Sequence, residues 1–90
     1  MKLIGFFFTF KGDTKTKHEV GLAEVWTTIS QIFTELKQFT DSRDAIEEAA
    51  SISPTSPEVA YQRGLLAEAQ SQIKQAAEFY KEAYSYDNKY

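Results

Sequence analysis

The sequence contains no cysteine, which excludes disulfide bridges, thiol catalysis and cysteine-ligated zinc. It has only two prolines and four glycines, so few residues interrupt a helix. Long apolar runs are lacking too, because the longest, residues 3–10, is shorter than the ~20 residues that span a membrane. This run follows Lys2, but no small-residue cleavage site comes after it, which argues against a signal peptide.

Positive charge is also scarce. Ten lysines and arginines stand against thirteen acidic residues, and the formal net charge is −3. The basic residues are dispersed, and only Lys11, Lys15 and Lys17 lie close together. Binding to a phosphate backbone requires a basic stripe. The charge pattern therefore argues against a nucleic-acid partner.

Motifs for catalysis are absent: there is no phosphate loop, HExxH or nucleophile elbow. We interpret His18, the single histidine, as a solvated side chain of the leader. An acidic run begins at Asp41 and Asp44, where a helix start favours negative charge. It continues with Glu47 and Glu48 on the solvated face, without the glycine of a calcium loop. We therefore expect no enzyme activity, no cofactor and no metal site.

Aromatic residues and good helix formers are plentiful, and they recur with a period of 34 residues. Trp26 is matched by Ala60, and Ala49 by Ala83. The period divides the chain into a leader of uncertain structure at residues 1–22 and two repeats at residues 23–56 and 57–90.

Each repeat reads as two helices, because apolar residues recur at steps of three and four. Thr40 or Asp41 is the expected cap of the second helix, while Ser56 and Pro57 begin the third. The predicted helices cover residues 21–37, 42–51, 57–70 and 72–86.

Small residues at fixed positions predict close contact between the paired helices, and large residues beside them fill the wider gaps. Gly64 is expected to let its partner helix approach. The residues assigned to this structural role are Trp26, Phe33, Gly64, Ala76, Tyr80 and Ala83.

These positions resemble the tetratricopeptide repeat, most clearly in Pro57, Tyr61, Gly64, Ala67, Ala76, Tyr80 and Ala83. The resemblance implies an all-α fold of two helix-turn-helix repeats in a short right-handed superhelix. It also implies a non-catalytic scaffold or module for protein–protein interaction. Ser42, Asn88 and Ala67 depart from the family pattern, and Ala67 in place of an aromatic predicts a thin second core.

The family lines a concave groove with the first helix of each repeat, and the resemblance carries this role to matching positions here. The basic residues with which some relatives grip a terminal carboxylate are missing, so a basic or apolar helical peptide is the expected partner. The alternative is a merely solvated surface. The matching positions are Glu24, Thr27, Gln31 and Glu35, then Glu58, Tyr61, Gln62, Leu65 and Glu68.

A narrower resemblance runs from Glu47 to Ala83 and includes Pro54, Tyr61 and Phe79. It is similar to the carboxy-terminal repeats of a scaffold family that helps hold a type III phosphatidylinositol 4-kinase at the plasma membrane. Plant relatives of that family are linked to calmodulin binding. This resemblance implies a cytoplasmic location at the inner face of that membrane.

Other interpretations remain open. The chain could be a structural fragment of a longer superhelix with no function of its own, and an enzyme is a distant third. We expect self-association through the carboxy-terminal helix, with Tyr80, Tyr84 and Tyr86 on or beside its open face. We also expect residues 3–10 to fold over the exposed face of the first helix.

Overall fold

The computed structural model describes residues 16–87, with side chains described from Gly21 onward. This part of the chain forms four helices and no strand, which confirms the all-α prediction. The prediction for residues 3–10 lies outside the described residues. The helices are α1 (Thr16–Glu35), α2 (Phe39–Ile52), α3 (Pro57–Ala69) and α4 (Ile73–Tyr86).

The helices form two hairpins, α1 with α2 and α3 with α4, and α3 joins them by contacting both α1 and α2. The two hairpin turns have the same geometry. Lys37 and Ser71 each adopt a positive φ, of 61° and 63°. The N–H of Gln38 donates to the Phe33 carbonyl, and that of Gln72 to the Ala67 carbonyl, both at 2.8 Å. A left-handed residue followed by this bond ends a helix sharply, so each pair of helices turns back on itself.

The main core lies where the first hairpin meets α3. Trp26 and Ile46 are its largest fully buried side chains, and Val59 and Leu66 of α3 complete the cluster with Ala45 and Ala49. The second hairpin is closed by small buried residues, which are Ala60, Gly64, Ala67, Ala76 and Ala83. Burial of apolar area stabilises the fold in proportion to the area covered, so the large side chains at the junction contribute most.

Gly64 is the point of closest approach between α3 and α4. A β-carbon added there would lie 2.6 Å from Cδ1 of Tyr80. Tyr80 therefore faces back toward α3. This agrees with the structural role predicted for Tyr80 and takes it off the open face of α4, on or beside which it was expected with Tyr84 and Tyr86; the latter two are exposed. The physical reason is that the missing side chain of Gly64 leaves a space that the Tyr80 ring fills.

Several predicted helix limits were wrong. α1 begins at Thr16 rather than at residue 21, so residues 16–22 of the expected leader are helical. α2 begins at Phe39, three residues early, after Gln38 and without a side-chain cap from Thr40 or Asp41. The prediction for α3 was correct, because the Ser56 hydroxyl accepts the N–H of Val59 at 3.3 Å and Pro57 follows at the first position.

The apolar residues that recur at steps of three and four along α1 are only partly buried. Trp26 is buried, and Phe33 and Ile29 are half-buried, but Val25, Ile32 and Leu36 are exposed. The contacts of α1 with α2 and α3 therefore cover only part of its apolar surface, and Val25, Ile32 and Leu36 remain exposed.

Candidate functional site

The predicted groove residues lie on α1 and α3, and the structure brings only some of them together. Glu24, Thr27 and Glu58 line one depression of about 740 Å³ between the two helices. Gln31 and Tyr61 are exposed and Leu65 is half-buried, but these three do not line it. The site is therefore narrower than predicted and lies toward the start of α3.

The loop between the two hairpins forms the rest of this depression, which sequence reasoning missed. Ile52, Pro54 and Pro57 add apolar surface, together with Ala23 and Val59. From the Ser-Pro-Thr-Ser-Pro stretch, we interpreted only Ser56 and Pro57, as the start of a helix. Its signal was the clustering of two prolines beside serine and threonine, because such a loop is rigid and pre-set for a surface turn.

The polar groups around the depression are mainly acceptors. The Thr27 hydroxyl donates to the Ala23 carbonyl at 2.8 Å, and the Thr28 hydroxyl to the Glu24 carbonyl at 3.0 Å. Each hydroxyl proton is used within α1, while the oxygen keeps lone pairs that can accept. The exposed carboxylates of Glu24 and Glu58 add negative charge. An acceptor-rich rim over an apolar floor suits a lysine or arginine side chain.

The positive end of the α3 dipole also points to this depression, and it disfavours a cation. Glu58 lies in the first turn of α3, and its Oε1 accepts a hydrogen bond from the Ser56 hydroxyl at 3.0 Å. A carboxylate in the first turn offsets the dipole charge. Glu24 then supplies the remaining negative charge of the site.

Gln62 does not serve as an accessible groove residue, contrary to the prediction. Its exposed fraction is 4%, and its Nε2 has no hydrogen-bond partner among the described residues. The position was assigned to the groove by its place in the repeat. Its counterpart Thr28 in the first repeat is exposed, so the repeat position alone does not decide whether this side chain is accessible.

Tyr61 belongs to an aromatic and acidic cluster that ties α3 to α4. Its ring lies 5.6 Å from that of Tyr80, centroid to centroid. The Tyr80 hydroxyl donates to Oε1 of Glu68 at 2.6 Å. Desolvation by burial raises the pKa of the Tyr80 phenol, and the hydrogen bond to Glu68 and its negative charge raise it further. Tyr80 thus stays protonated and holds Glu68, another predicted groove residue, in place.

A second depression, of about 320 Å³, lies among α2, α3 and α4 and holds the charged groups Arg43, Glu47 and Arg63. Arg63 contacts Oε1 of Glu47 at 3.1 Å, and its guanidinium lies 5.7 Å from the Phe79 ring centroid. Because Arg63 is engaged by a carboxylate and a ring, this depression is interpreted as part of the junction between the hairpins.

Residues 16–87 contain neither a candidate metal site nor a candidate membrane-spanning helix. No group of three or more histidine, aspartate or glutamate side chains in the described region could hold a metal ion. No helix of this region is both long enough and apolar enough to cross a membrane.

Comparison with known proteins agrees with this geometry. A family model for the tetratricopeptide repeat matches residues 23–56 and 57–90. Tetratricopeptide repeat protein 7A of Homo sapiens is 37% identical over 62 residues, which cover 69% of this chain and 7% of that protein. The chain thus spans only a small part of the length of this relative. No solved structure was found to match. The chain belongs to the tetratricopeptide-repeat family, whose members are generally non-catalytic protein-interaction modules.

Proposed function

We propose that this chain is a non-catalytic scaffold module that binds a basic segment of a partner protein in the depression between α1 and α3. The observation that carries the proposal is that Glu24 and Glu58 line one depression together with the apolar residues Ile52, Pro54 and Pro57. A lysine or arginine can lay its aliphatic stem on the accessible apolar surface of Ile52, Pro54 and Pro57 and present its charge to the carboxylates.

The partner segment that fits best is a helix with basic residues on one side and apolar residues on the other. The exposed Tyr61 and the half-buried Leu65 lie further along α3, so apolar residues of a bound helix can follow the basic one. Glu35 and Glu68, both exposed, add negative charge along α1 and α3. A carboxylate-terminated or acidic peptide is disfavoured by the same charges.

Selection from a displayed peptide library tests this proposal. The wild-type chain should select peptides rich in lysine or arginine. Neutralising the site with Glu24→Gln and Glu58→Gln should weaken their binding about fivefold, since two exposed ion pairs contribute on the order of 1 kcal/mol. Asp44→Asn with Glu78→Gln is the matched control, because both residues are exposed and lie on α2 and α4.

The control variant removes the same charge elsewhere and should bind as the wild type does. Raising the salt concentration should weaken wild-type binding more than that of the neutralised variant. Acidic selected peptides, or equal affinity for the neutralised variant and the control, would overturn the proposal.

A finer proposal rests on the narrower resemblance. We propose that the module belongs to a scaffold that recruits a type III phosphatidylinositol 4-kinase to the cytoplasmic face of the plasma membrane. Tagged chain expressed in cells should then co-purify with the kinase, and the Glu24→Gln, Glu58→Gln variant should recover less of it. Recovery at the level of an unrelated tetratricopeptide-repeat chain contradicts this finer proposal and leaves the peptide-binding proposal standing.

The second candidate function is purely structural, as two repeats within a longer superhelix. The observation that favours it is the share of the human relative covered by this chain, 7% of its length. A structural segment should select no peptides in the library experiment although its helices are folded. The two candidates are therefore separated by the same measurement.

A further inference from the structure

At the junction between the two hairpins, apolar residues of α3 pack against apolar residues of α2. In this junction, Val59 and Leu66 of α3 are 3% and 6% exposed, and they pack in one cluster with Ile46 and Ala49 of α2. Phe39, Ala50 and Ile52 are the partly buried residues of α2 and its end that pack against the same cluster. One side of the junction is thus formed by Val59 and Leu66 of α3, and the other by the apolar residues of α2.

The repeat places equivalent residues of both surfaces at the two ends of the described chain, and there they are exposed to solvent. Val25 and Ile32 of α1 stand 34 residues before Val59 and Leu66, yet they are 43% and 50% exposed. We call Val25, Ile32 and Leu36 the head face. Ile73, Tyr84 and Tyr86 stand 34 residues after Phe39, Ala50 and Ile52, and all three are exposed. These three residues form the tail face.

We propose that the head face of one chain docks on the tail face of a second copy, so that the chain associates head to tail. The contact repeats the junction between the two hairpins, with α1 of the second copy taking the place that α3 takes on α2. Because the two faces differ, the contact is heterologous and leaves one head and one tail open in every assembly.

Substituting counterparts indicates that the proposed contact has no ion pair across it, because Lys81 pairs with Glu78 of its own helix, and that it gains apolar residues from α1. The internal junction contains the Arg63–Glu47 ion pair, and the counterparts of these residues are Ile29 and Lys81. Arg43 and Gln70 line one depression there, and their counterparts are Ala77 and Leu36. Apolar contact therefore drives the association, and its strength should depend little on salt.

The sequence predicts self-association through the carboxy-terminal helix, and its simplest form is a two-fold contact of α4 with α4, which differs from this arrangement. In a two-fold contact the tail face meets itself, and the head face stays in water. The head face contains three exposed apolar residues on one helix, and a two-fold contact leaves all of them uncovered. A head-to-tail contact covers both faces at once.

Two blocked variants of the full chain test the proposal by sedimentation. Val25→Glu with Ile32→Glu blocks the head, and Ile73→Glu with Tyr84→Glu blocks the tail. All four residues are exposed, so each variant should keep the helical content and melting behaviour of the wild type. Each variant alone should be monomeric, whereas their mixture should form a complex of one copy of each.

The mixture is diagnostic because it contains one intact head and one intact tail. The wild type should form a series of species that lengthens from micromolar to millimolar concentration. Lys74→Glu with Ser85→Glu is the control on α4, since the counterparts Thr40 and Ser51 stay exposed at the internal junction. This control should associate as the wild type does.

Three results would overturn the proposal. A head-blocked variant that still dimerises alone indicates the two-fold contact of α4. A mixture that stays monomeric shows that the two faces do not fit. A wild type that stays monomeric at every concentration shows that the head and tail faces do not associate.

Discussion

At the scale of single residues, Gly64 and Tyr80 decide how closely α3 and α4 approach. Gly64→Ala should place a β-carbon against the Tyr80 ring and displace it, at a cost of about 1–3 kcal/mol, less the gain of about 1 kcal/mol in helix propensity. Urea unfolding measures the difference. In a Tyr80→Leu background the same substitution should cost less, and an equal cost in both backgrounds contradicts the assigned contact.

The raised pKa of Tyr80 makes part of the stability depend on pH. The unfolded phenol has the ordinary pKa of 10.0, and burial beside Glu68 raises that of the folded state. The associated stability is fully present below pH 10.0 and is lost as the pH rises through the folded pKa, because the unfolded phenol releases its proton first.

We therefore expect the free energy of unfolding to fall above pH ~10, and Tyr80→Phe to show a smaller fall. Part of the dependence should remain, because desolvation and the Glu82 carboxylate also raise the pKa of Tyr86. Urea unfolding of both proteins across this pH range makes the comparison. Identical slopes for the two would show that the pKa of Tyr80 is not raised in the folded protein.

Gln62 is the residue where replacement should improve stability. Its buried Nε2 has no partner among the described residues, and a buried unsatisfied donor costs about 1–3 kcal/mol. Gln62→Met has similar volume and no such donor, so it should raise the urea midpoint. The exposed Gln31→Met is the control and should change little. A lower midpoint for Gln62→Met would indicate that its amide is hydrogen-bonded.

At the scale of helices, the first hairpin is joined by a buried hydroxyl network where the second has Gly64 and Ala76. The hydroxyls of Ser30 and Ser42 lie 2.8 Å apart, and that of Ser42 also donates to the Ser30 carbonyl at 2.9 Å. The Thr34 hydroxyl oxygen lies 2.6 Å from the Ser42 hydroxyl oxygen. Ser42 departs from the family pattern, and this network explains how α1 and α2 tolerate it.

A double-mutant cycle tests this network. Ser30→Gly and Ser42→Ala should each destabilise the fold by about 1–3 kcal/mol, because each leaves buried partners unsatisfied. The double substitution reproduces the Gly64 and Ala76 pair, so its cost should be clearly below the sum of the single costs. Additive costs, measured by urea unfolding, would mean that the two hydroxyls act independently.

At the scale of the whole molecule, the hairpins were predictable because each depends on residues close in sequence. Gly64 and Ala83 recur in phase with Ser30 and Ala49, and such contacts repeat in every unit of a helical array. The start of α1 was missed although Thr16 and Glu19 have the spacing of a capping box, because the apolar period that set the predicted helix begins only at Leu22.

The candidate site was less predictable because it depends on how the hairpins stack. The repeat position placed Gln62 in the groove, but its side chain is buried, whereas its counterpart Thr28 in the first repeat is exposed. The same stacking brings the loop with Pro54 beside Glu24. Periodicity within one helix contains no information about a surface that two hairpins and their connection form together.

The central claim is that a partner binds between α1 and α3, and nuclear magnetic resonance tests it most directly. A labelled chain is titrated with a basic amphipathic helical peptide, and the amide shifts are followed residue by residue. The account predicts the largest shifts at Glu24, Thr27, Glu58 and the 52–57 loop, and their loss in the Glu24→Gln, Glu58→Gln variant. Shifts concentrated on α2 and α4, or equal shifts in that variant, would contradict it.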